Sequence, residues 1–371
     1  ASRAMVTEVA GSAECLVLST PGTMRYLDEE VPFVGLTGVT TSRVARKRGL
    51  AKRLTALSLA LDAADGAAVA GLGMFDQGFY NSLGFGTGSY EHFFTFDPAH
   101  LRVEVPQRVP CRLAKEDWAD VHAARLGRLR RHGEVNLRPA AATRSEMLWQ
   151  KKGFGLGYRD GPDGALSHYI WCEDRGGENG PYAVRWFVYQ TDEQFRELMG
   201  LLKSLGDQVH WIEMAEPPGI QLQDLLDQPF KQQRITRRSA HPLGSRSAAW
   251  WQMRICDVPT CLKRTRLSQG SLAFNLSLWD PIEEYLDEAT PWKSIGGEYV
   301  VSLGSSSQAR RGRDATLPTM TATVNAFTRL WLGVRPASSL AVTDDLQAPP
   351  GLLGELDRVL CLPQPHMGWD F

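Results

Sequence analysis

The sequence predicts an α+β protein of mixed sheets with flanking helices, arranged as successive segments of a 371-residue chain. Three observations lead there. A β-branched run at 36–41 turns through a basic, glycine-containing loop into an amphipathic helix at 50–64. Between 111 and 245 an order of helices, hairpin, helix and strand repeats that theme, and from Trp250 a new series of strands begins. Division is expected at this length, because single cores rarely grow much beyond roughly 250 residues.

The first segment, 1–104, holds the most informative stretch. The strand ends in the turn Arg46-Lys47-Arg48-Gly49-Leu50-Ala51. The first N–H groups of a helix have no partner inside it, and its positive dipole end faces the same way, so such a turn suits an anion and especially a pyrophosphate. Gly49 lets the backbone come close to a phosphate, while Arg46, Lys47, Arg48 and Lys52 add positive charge. The helix places Leu50, Leu54, Leu57 and Leu61 on one face, ready to pack on a sheet. Further on, Phe79-Tyr80-Asn81-Ser82-Leu83-Gly84-Phe85-Gly86 precedes a strand at 90–96.

Pro106 and Pro110 bracket a boundary, since proline interrupts helices and ladders alike. The second segment, 105–245, reads as helices at 118–131 and 143–151, strands at 166–172 and 182–190, a helix at 192–205 and a strand at 210–214. Its turn Gln190-Thr191-Asp192-Glu193 opens the helix with acidic residues, which is good capping and poor phosphate binding. This segment therefore reads as a degenerate copy with a structural role. The third segment, 246–371, opens on a strand at 250–255, continues with strands at 270–279, 298–303 and 319–324 and helices at 324–332 and 352–361, and ends in a tail from Pro363 to Phe371. The tryptophans Trp250 and Trp251 read as core filling.

Composition excludes several classes. With 43% apolar and 22% charged residues and a formal net charge of -1, nothing supports a nucleic-acid partner. Basic clusters at Arg125 to Arg131 and at Arg310, Arg311 and Arg313 read as a solvated helix face and a polar loop. The six cysteines show no Cys-x-x-Cys spacing and no nearby paired histidines, so neither a zinc site nor a disulfide framework is expected. No apolar run reaches the ~18 residues a membrane span needs, and no charged-then-apolar leader opens the sequence, so no membrane partner and a cytoplasmic setting are expected.

The turn and the aromatic segment together resemble the GNAT acyltransferases, whose fingerprint is Gln/Arg-x-x-Gly-x-Gly/Ala; Arg46, Gly49 and Ala51 stand at its defining positions. Over nearly the whole chain the sequence is similar to the Eis (enhanced intracellular survival) acetyltransferases. Its most specific points are Leu36 to Thr40, Arg46 to Leu50, Phe79-Tyr80 with Gly84 to Gly86, Met253 to Pro259, and the ending Asp370-Phe371. The resemblance implies an active GNAT domain at 1–104, a degenerate GNAT-like domain at 105–245 and a sterol carrier protein-like domain at 246–371. It also implies acetyl-CoA as cosubstrate, no metal, and a homohexamer. Two departures stand out: family members carry a longer stretch before the phosphate turn, helping to wall the acceptor pocket, and a small polar residue where this chain has Phe75, just before Asp76.

By that resemblance the backbone of Val39, Thr40 and Thr41 pairs with the pantetheine amides and presents an N–H to the thioester oxygen. Arg46, Lys47, Arg48, Gly49, Leu50, Ala51 and Lys52 cradle the pyrophosphate, with Phe75 and Asp76 beside the cofactor. Tyr80 is the general acid for the departing thiolate, and the α-carboxylate of Phe371 is the general base for the acceptor amine. An exposed α-carboxylate of pKa ~3.5 is a weak base, so apolar surroundings, for which Met367 and Trp369 are candidates, must raise it. The expected acceptors are primary amines: lysine side chains, polyamine-like or aminoglycoside-like cations. Asp28, Glu29, Glu30, Asp76 and Asp370 are candidates for lining their cleft. Two other readings stay open: a lipid or hydrophobic-ligand carrier built on the third segment, and an acyltransferase for longer chains.

Overall fold

In the computed structural model, which describes residues 1–176, 180–227 and 244–370, β1 (Arg3–Val9), β2 (Ser12–Tyr26) and β3 (Glu29–Thr41) pair antiparallel in chain order. Buried and less buried positions alternate along much of β2, as expected of a sheet with one face on a core. Helix α1 (Leu50–Ala64) follows, then β4 (Val69–Gly73), which returns parallel to β3. Short α2 (Gln77–Asn81) and β5 (Gly86–Thr87) close this stretch.

Among the described residues this sheet has seven strands, and two of them come from far along the chain. Val135–Leu137 pairs with β2. The fully buried Trp251–Ile255 lies between β4 and β5, pairing Trp251 with Gly73 and Gln252 with Thr87. The strand read as the start of a third segment is therefore an inner strand of the first sheet. Contacts accordingly divide the chain into two compact units: one of 1–89, 130–139 and 249 onward, the other of 90–129 and 140–248.

The first unit also holds a five-stranded sheet, ordered Gln308–Arg311, Gly297–Leu303, Leu272–Trp279, Thr319–Thr323 and Leu346–Gln347. Helix Val324–Trp331 packs beside it and against Trp251–Ile255. Tyr26 of β2 stacks on Trp331 with ring centroids 4.3 Å apart and donates its hydroxyl to the Trp331 carbonyl at 2.8 Å. Met367 and Trp369 are buried, and the tail is pinned where Val135 N–H donates to Met367 O at 3.0 Å and His366 N–H to His132 O at 3.1 Å.

The second unit has its own seven-stranded sheet, from Gly244–Ala248 through Glu91–Phe96, Ile212–Ala215, Tyr182–Val188, His168–Asp174 and Gly153–Tyr158 to Cys111–Leu113. Helix Asp192–Ser204 buries Phe195, Leu198, Met199 and Leu202 in its core. Two expectations change here. The helix expected over 118–131 stops at Leu126, and Arg125 is no solvated residue: it is 2% exposed, paired with Glu146 and 4.3 Å from the centroid of Trp186. Arg310 and Arg311 lie in an edge strand instead of a loop.

Candidate active site

The site begins with a divergence of two strands. The parallel ladder between β3 and β4 covers Phe33 to Gly35 against Val69 to Gly71 and stops there. On its other edge β4 pairs with Trp251–Ile255 along its whole length, while past Gly35 β3 runs on to Thr41 held only by β2. Between Thr37 and Thr40 the β2–β3 register shifts, so that Gly38 and Val39 lie opposite Val17. Gly38 takes φ 61, which a glycine adopts freely, and the result is a bulge that bends the strand end. Val39, Thr40 and Thr41 thus sit on an edge with backbone groups free on the β4 side among the described residues, and Thr41 Oγ1 donates to Cys15 Sγ at 3.4 Å.

Beyond the strand, Arg43–Ala45 makes one 3-10 turn, and Arg46, Lys47, Arg48 and Gly49 are exposed. Gly49 caps α1 in the left-handed region with no side-chain bond, and no acidic residue lies in the first turn. The helix therefore presents its leading N–H groups to solvent among three cations that have no ion-pair partner among the described residues. The packed face of α1 is rotated from the one the leucines suggest. Leu54, Thr55, Ser58, Leu59 and Asp62 are buried and Leu57 is 37% exposed, because Asp62 turns inward to pair with Arg3.

Tyr80 lies on α2, whose start Asp76 fixes by accepting from Phe79 N–H at 2.9 Å. It is 2% exposed and shares a core with Val34, Leu36, Leu54 and Phe85, against which Val39, Leu50, Ala51 and Phe79 pack, so the expected elements do converge. Burial pushes its phenol up to about 12, and the hydroxyl has no hydrogen-bond partner among the described residues. Phe75, 69% exposed, meets the Tyr80 ring edge-on with centroids 5.4 Å apart. Lys52 does not stand free: its Nζ lies 5.8 Å from the centroid of Phe79 and 5.7 Å from that of Tyr285, which ties the start of α1 to α2.

The remaining expectations separate. Phe371 lies outside the described residues, and Asp370 is exposed. Glu29 faces Arg264 and Arg266, Glu30 faces Arg130, Asp28 faces Arg25 and Asp76 caps α2, so four of the five expected acidic residues are already engaged. Among the described residues, only Asp160, His168 and Glu197 in the second unit form a group with metal-ligand spacing. Arg108 already neutralises it, with two bonds to Asp160 and two to Glu197 at 2.6 to 3.0 Å. His168 Nδ1 meets Ser167 Oγ at 2.8 Å, but both residues are buried and the hydroxyl donates to Tyr158 O, so the trio is a packed network.

What the sequence reading missed is how α2 is held. Arg254 is fully buried against Asp280 at 2.7 Å and donates to Leu83 O. Burial works against its charge, yet Asp280 more than offsets this and the guanidinium is held above its ordinary range. Gln252 donates to Asn81 Oδ1 at 2.6 Å and to Thr87 Oγ1 at 3.2 Å. The signal was present in the strand Trp251–Ile255, where Gln252 and Arg254 are polar residues among Trp251, Met253 and Ile255.

Residues 138–240 match the family model described as an acetyltransferase (GNAT) domain. The chain is also 26% identical over 335 residues to an uncharacterized N-acetyltransferase of Streptomyces avermitilis, covering 84% of this chain and 74% of that protein. The chain is an acyltransferase with a GNAT-type domain. Solved structures share its mixed α/β fold. A probable N-acyltransferase of Enterococcus faecalis superposes with a TM-score of 0.76 at 18% identity, over 100% of this chain and 89% of that one. Eis1 of Mycobacterium abscessus gives 0.75 at 20% identity, over 100% and 90%. The family match falls within the segment that was read as degenerate.

Proposed function

We propose that the protein transfers the acetyl group of acetyl-CoA to a primary amine by direct attack on the thioester. The observation that carries this reading is the parting of β3 from β4 beyond Gly35, directly before an exposed, basic helix start. Free backbone groups on Val39, Thr40 and Thr41 suit the two amides of pantetheine and supply an N–H for the thioester oxygen as it gains charge. Gly49, Leu50 and Ala51 offer N–H groups to the pyrophosphate, and Arg46, Lys47, Arg48 and Lys52 add charge. Phe75 and Asp76 form the neighbouring wall.

In the reaction the amine nitrogen bonds to the acetyl carbon, the carbon–sulfur bond breaks, and Tyr80 gives its proton to the departing thiolate. A phenol at about 12 stays protonated at working pH but is a reluctant donor. The same desolvation that raises it also makes the thiolate more basic, so the two move together. The ammonium proton goes to the α-carboxylate of Phe371; the buried Met367 and Trp369 anchor the tail just ahead of its last two residues. Acceptors would be lysine side chains, polyamine-like or aminoglycoside-like amines.

The same reading keeps the boundaries 1–104, 105–245 and 246–371, with a structural middle domain, a sterol carrier protein-like third domain, a cytoplasmic homohexamer and no metal. The capped helix at Thr191 supports the structural role of the middle domain. Titration calorimetry with acetyl-CoA tests the reading first, and absence of binding would sink it. Thiol release with amine acceptors tests the acid: Tyr80→Phe should lower kcat by roughly a hundredfold with little change in KM for acetyl-CoA.

A further inference from the structure

The last carbonyls of a helix have no partner within it, and α2 is barely more than one turn long. Its end is secured from the helix Val324–Trp331. Asn325 spends both hydrogens of its amide there, donating from Nδ2 to Asn81 O and to Phe85 O, each at 2.9 Å. These two carbonyls flank the turn that follows Tyr80. The glycines of that turn carry the same imprint. A Cβ on Gly86 would come within 2.5 Å of Asn325 O and 2.7 Å of Arg329 Cγ, and one on Gly84, at φ 83, within 2.6 Å of an Arg254 nitrogen.

We infer that Asn325 is a positioning residue for Tyr80, fixing the phenol where it can meet the leaving group. The inference rests on the proposed role of Tyr80 and makes the third segment part of the active site independently of the chain terminus. Asn325 touches neither substrate nor cofactor in this scheme; it acts through the backbone on either side of the Tyr80 turn. Asn81 O also accepts from Gly84 N–H at 3.0 Å within the turn, so what Asn325 adds is a tie from the turn to a separate helix; Gln252 serves the Asn81 side chain and Thr87, and Arg254 serves Leu83 O.

Asn325→Asp keeps the shape and replaces the two donated hydrogens with an acceptor facing two carbonyls. Its kcat should fall by roughly tenfold to a hundredfold, the cost of about 1 Å of misplacement, while KM for acetyl-CoA stays within about threefold. Asn325→Ser keeps one donor and should fall between it and the wild type, which also covers the case in which Asn325→Asp does not fold. Loosening α2 wets the phenol, so the alkaline limb of the kcat profile should move from about 12 toward the ordinary tyrosine value of ~10. A merely structural role lowers the folded fraction and leaves that limb in place. Wild-type kcat in Asn325→Asp, or a loss that tracks the folded fraction with an unmoved limb, would overturn the inference. Tyrosinate absorbance titration, with Tyr80→Phe as the blank, reads the same shift without turnover. A wild type that acetylates nothing therefore counts against the functional reading, and an unshifted titration counts against this one.

Discussion

The two units each contain a strand, a helix and a parallel strand, and only in the first does the helix start stand open. In the first, β3 pairs with β4 over Phe33 to Gly35; in the second, Tyr182 to Val184 pair with Ile212 to Met214. Both upstream strands then run on past the ladder, to Thr41 and to Val188. The difference lies in the helix starts. At α1 the cap is Gly49, with φ 75, no side-chain bond and no acid in the first turn. At Asp192–Ser204 the Thr191 hydroxyl accepts from Gln194 N–H at 3.3 Å, the side-chain Oε1 of Gln194 accepts from Gln190 N–H at 2.7 Å, and Asp192 and Glu193 lie in the first turn. Glu193 is held below the usual carboxylate range by its own backbone N–H and by Thr191. One helix start has filled its anion site with its own side chains and the other has left it open. A handful of residues at one turn makes this difference.

The comparison can be broken at several points. The first unit takes an inner strand from beyond residue 250, so Arg254→Met, which strands Asp280 in the core, should remove about 3–5 kcal/mol from its stability. Urea unfolding followed by tryptophan fluorescence should show that loss while the second unit keeps its own transition; a single unshifted curve would mean that the ion pair is dispensable. Grafting the closed turn onto the open one, with Gly49→Thr, Leu50→Asp and Ala51→Glu together, should weaken acetyl-CoA binding by at least a hundredfold, about 3 kcal/mol. Calorimetry giving an unchanged Kd would place the cofactor elsewhere.

The buried phenol gives a third handle. Because folding raises Tyr80 to about 12, its contribution to stability is complete below pH ~10 and is lost as pH rises from there through about 12, by roughly 2–3 kcal/mol. Tyr26, Tyr169 and Tyr299 move in the same direction, so the measurement is the difference in alkaline unfolding between wild type and Tyr80→Phe. Identical alkaline curves would show that the phenol is not buried. The smallest effect belongs to the closed turn: Thr191→Ala should cost about 1 kcal/mol in unfolding and leave acetyl-CoA affinity untouched. Any gain or loss of affinity there would end the contrast between the two turns.

The elements that frame the candidate site were legible because they are local. The turn from Arg46 to Ala51, the helix after it and the Tyr80 segment each follow from neighbours in sequence, and the structure brings Val39, Leu50, Ala51 and Tyr80 to one core. The acid-first turn at Thr191 was equally readable, since capping depends on residues within one helical turn. What escaped was non-local. No periodicity shows that Trp251–Ile255 lies between β4 and β5, or that Gly84 and Gly86 are glycines because Arg254, Asn325 and Arg329 occupy the space of their side chains. The rotation of α1 was misjudged because leucine spacing outweighed Asp62, whose inward turn depends on Arg3 in β1. Arg125 was misplaced for the same reason: its partner Glu146 lies on the next helix.

The late strand also sets a timetable. As the chain leaves the ribosome, β4 and β5 emerge long before their shared neighbour, and the second unit, with a sheet of its own, is made in between. Until Ile255 has emerged, the inner edge of β4 has no native partner, and an unpaired buried edge invites pairing with another chain. Closing that sheet requires contacts of very high sequence separation, which slow folding. A nascent chain halted before Trp251 should therefore hold a folded second unit beside an unfinished first one, with the surroundings of Tyr80 assembled only as synthesis nears its end.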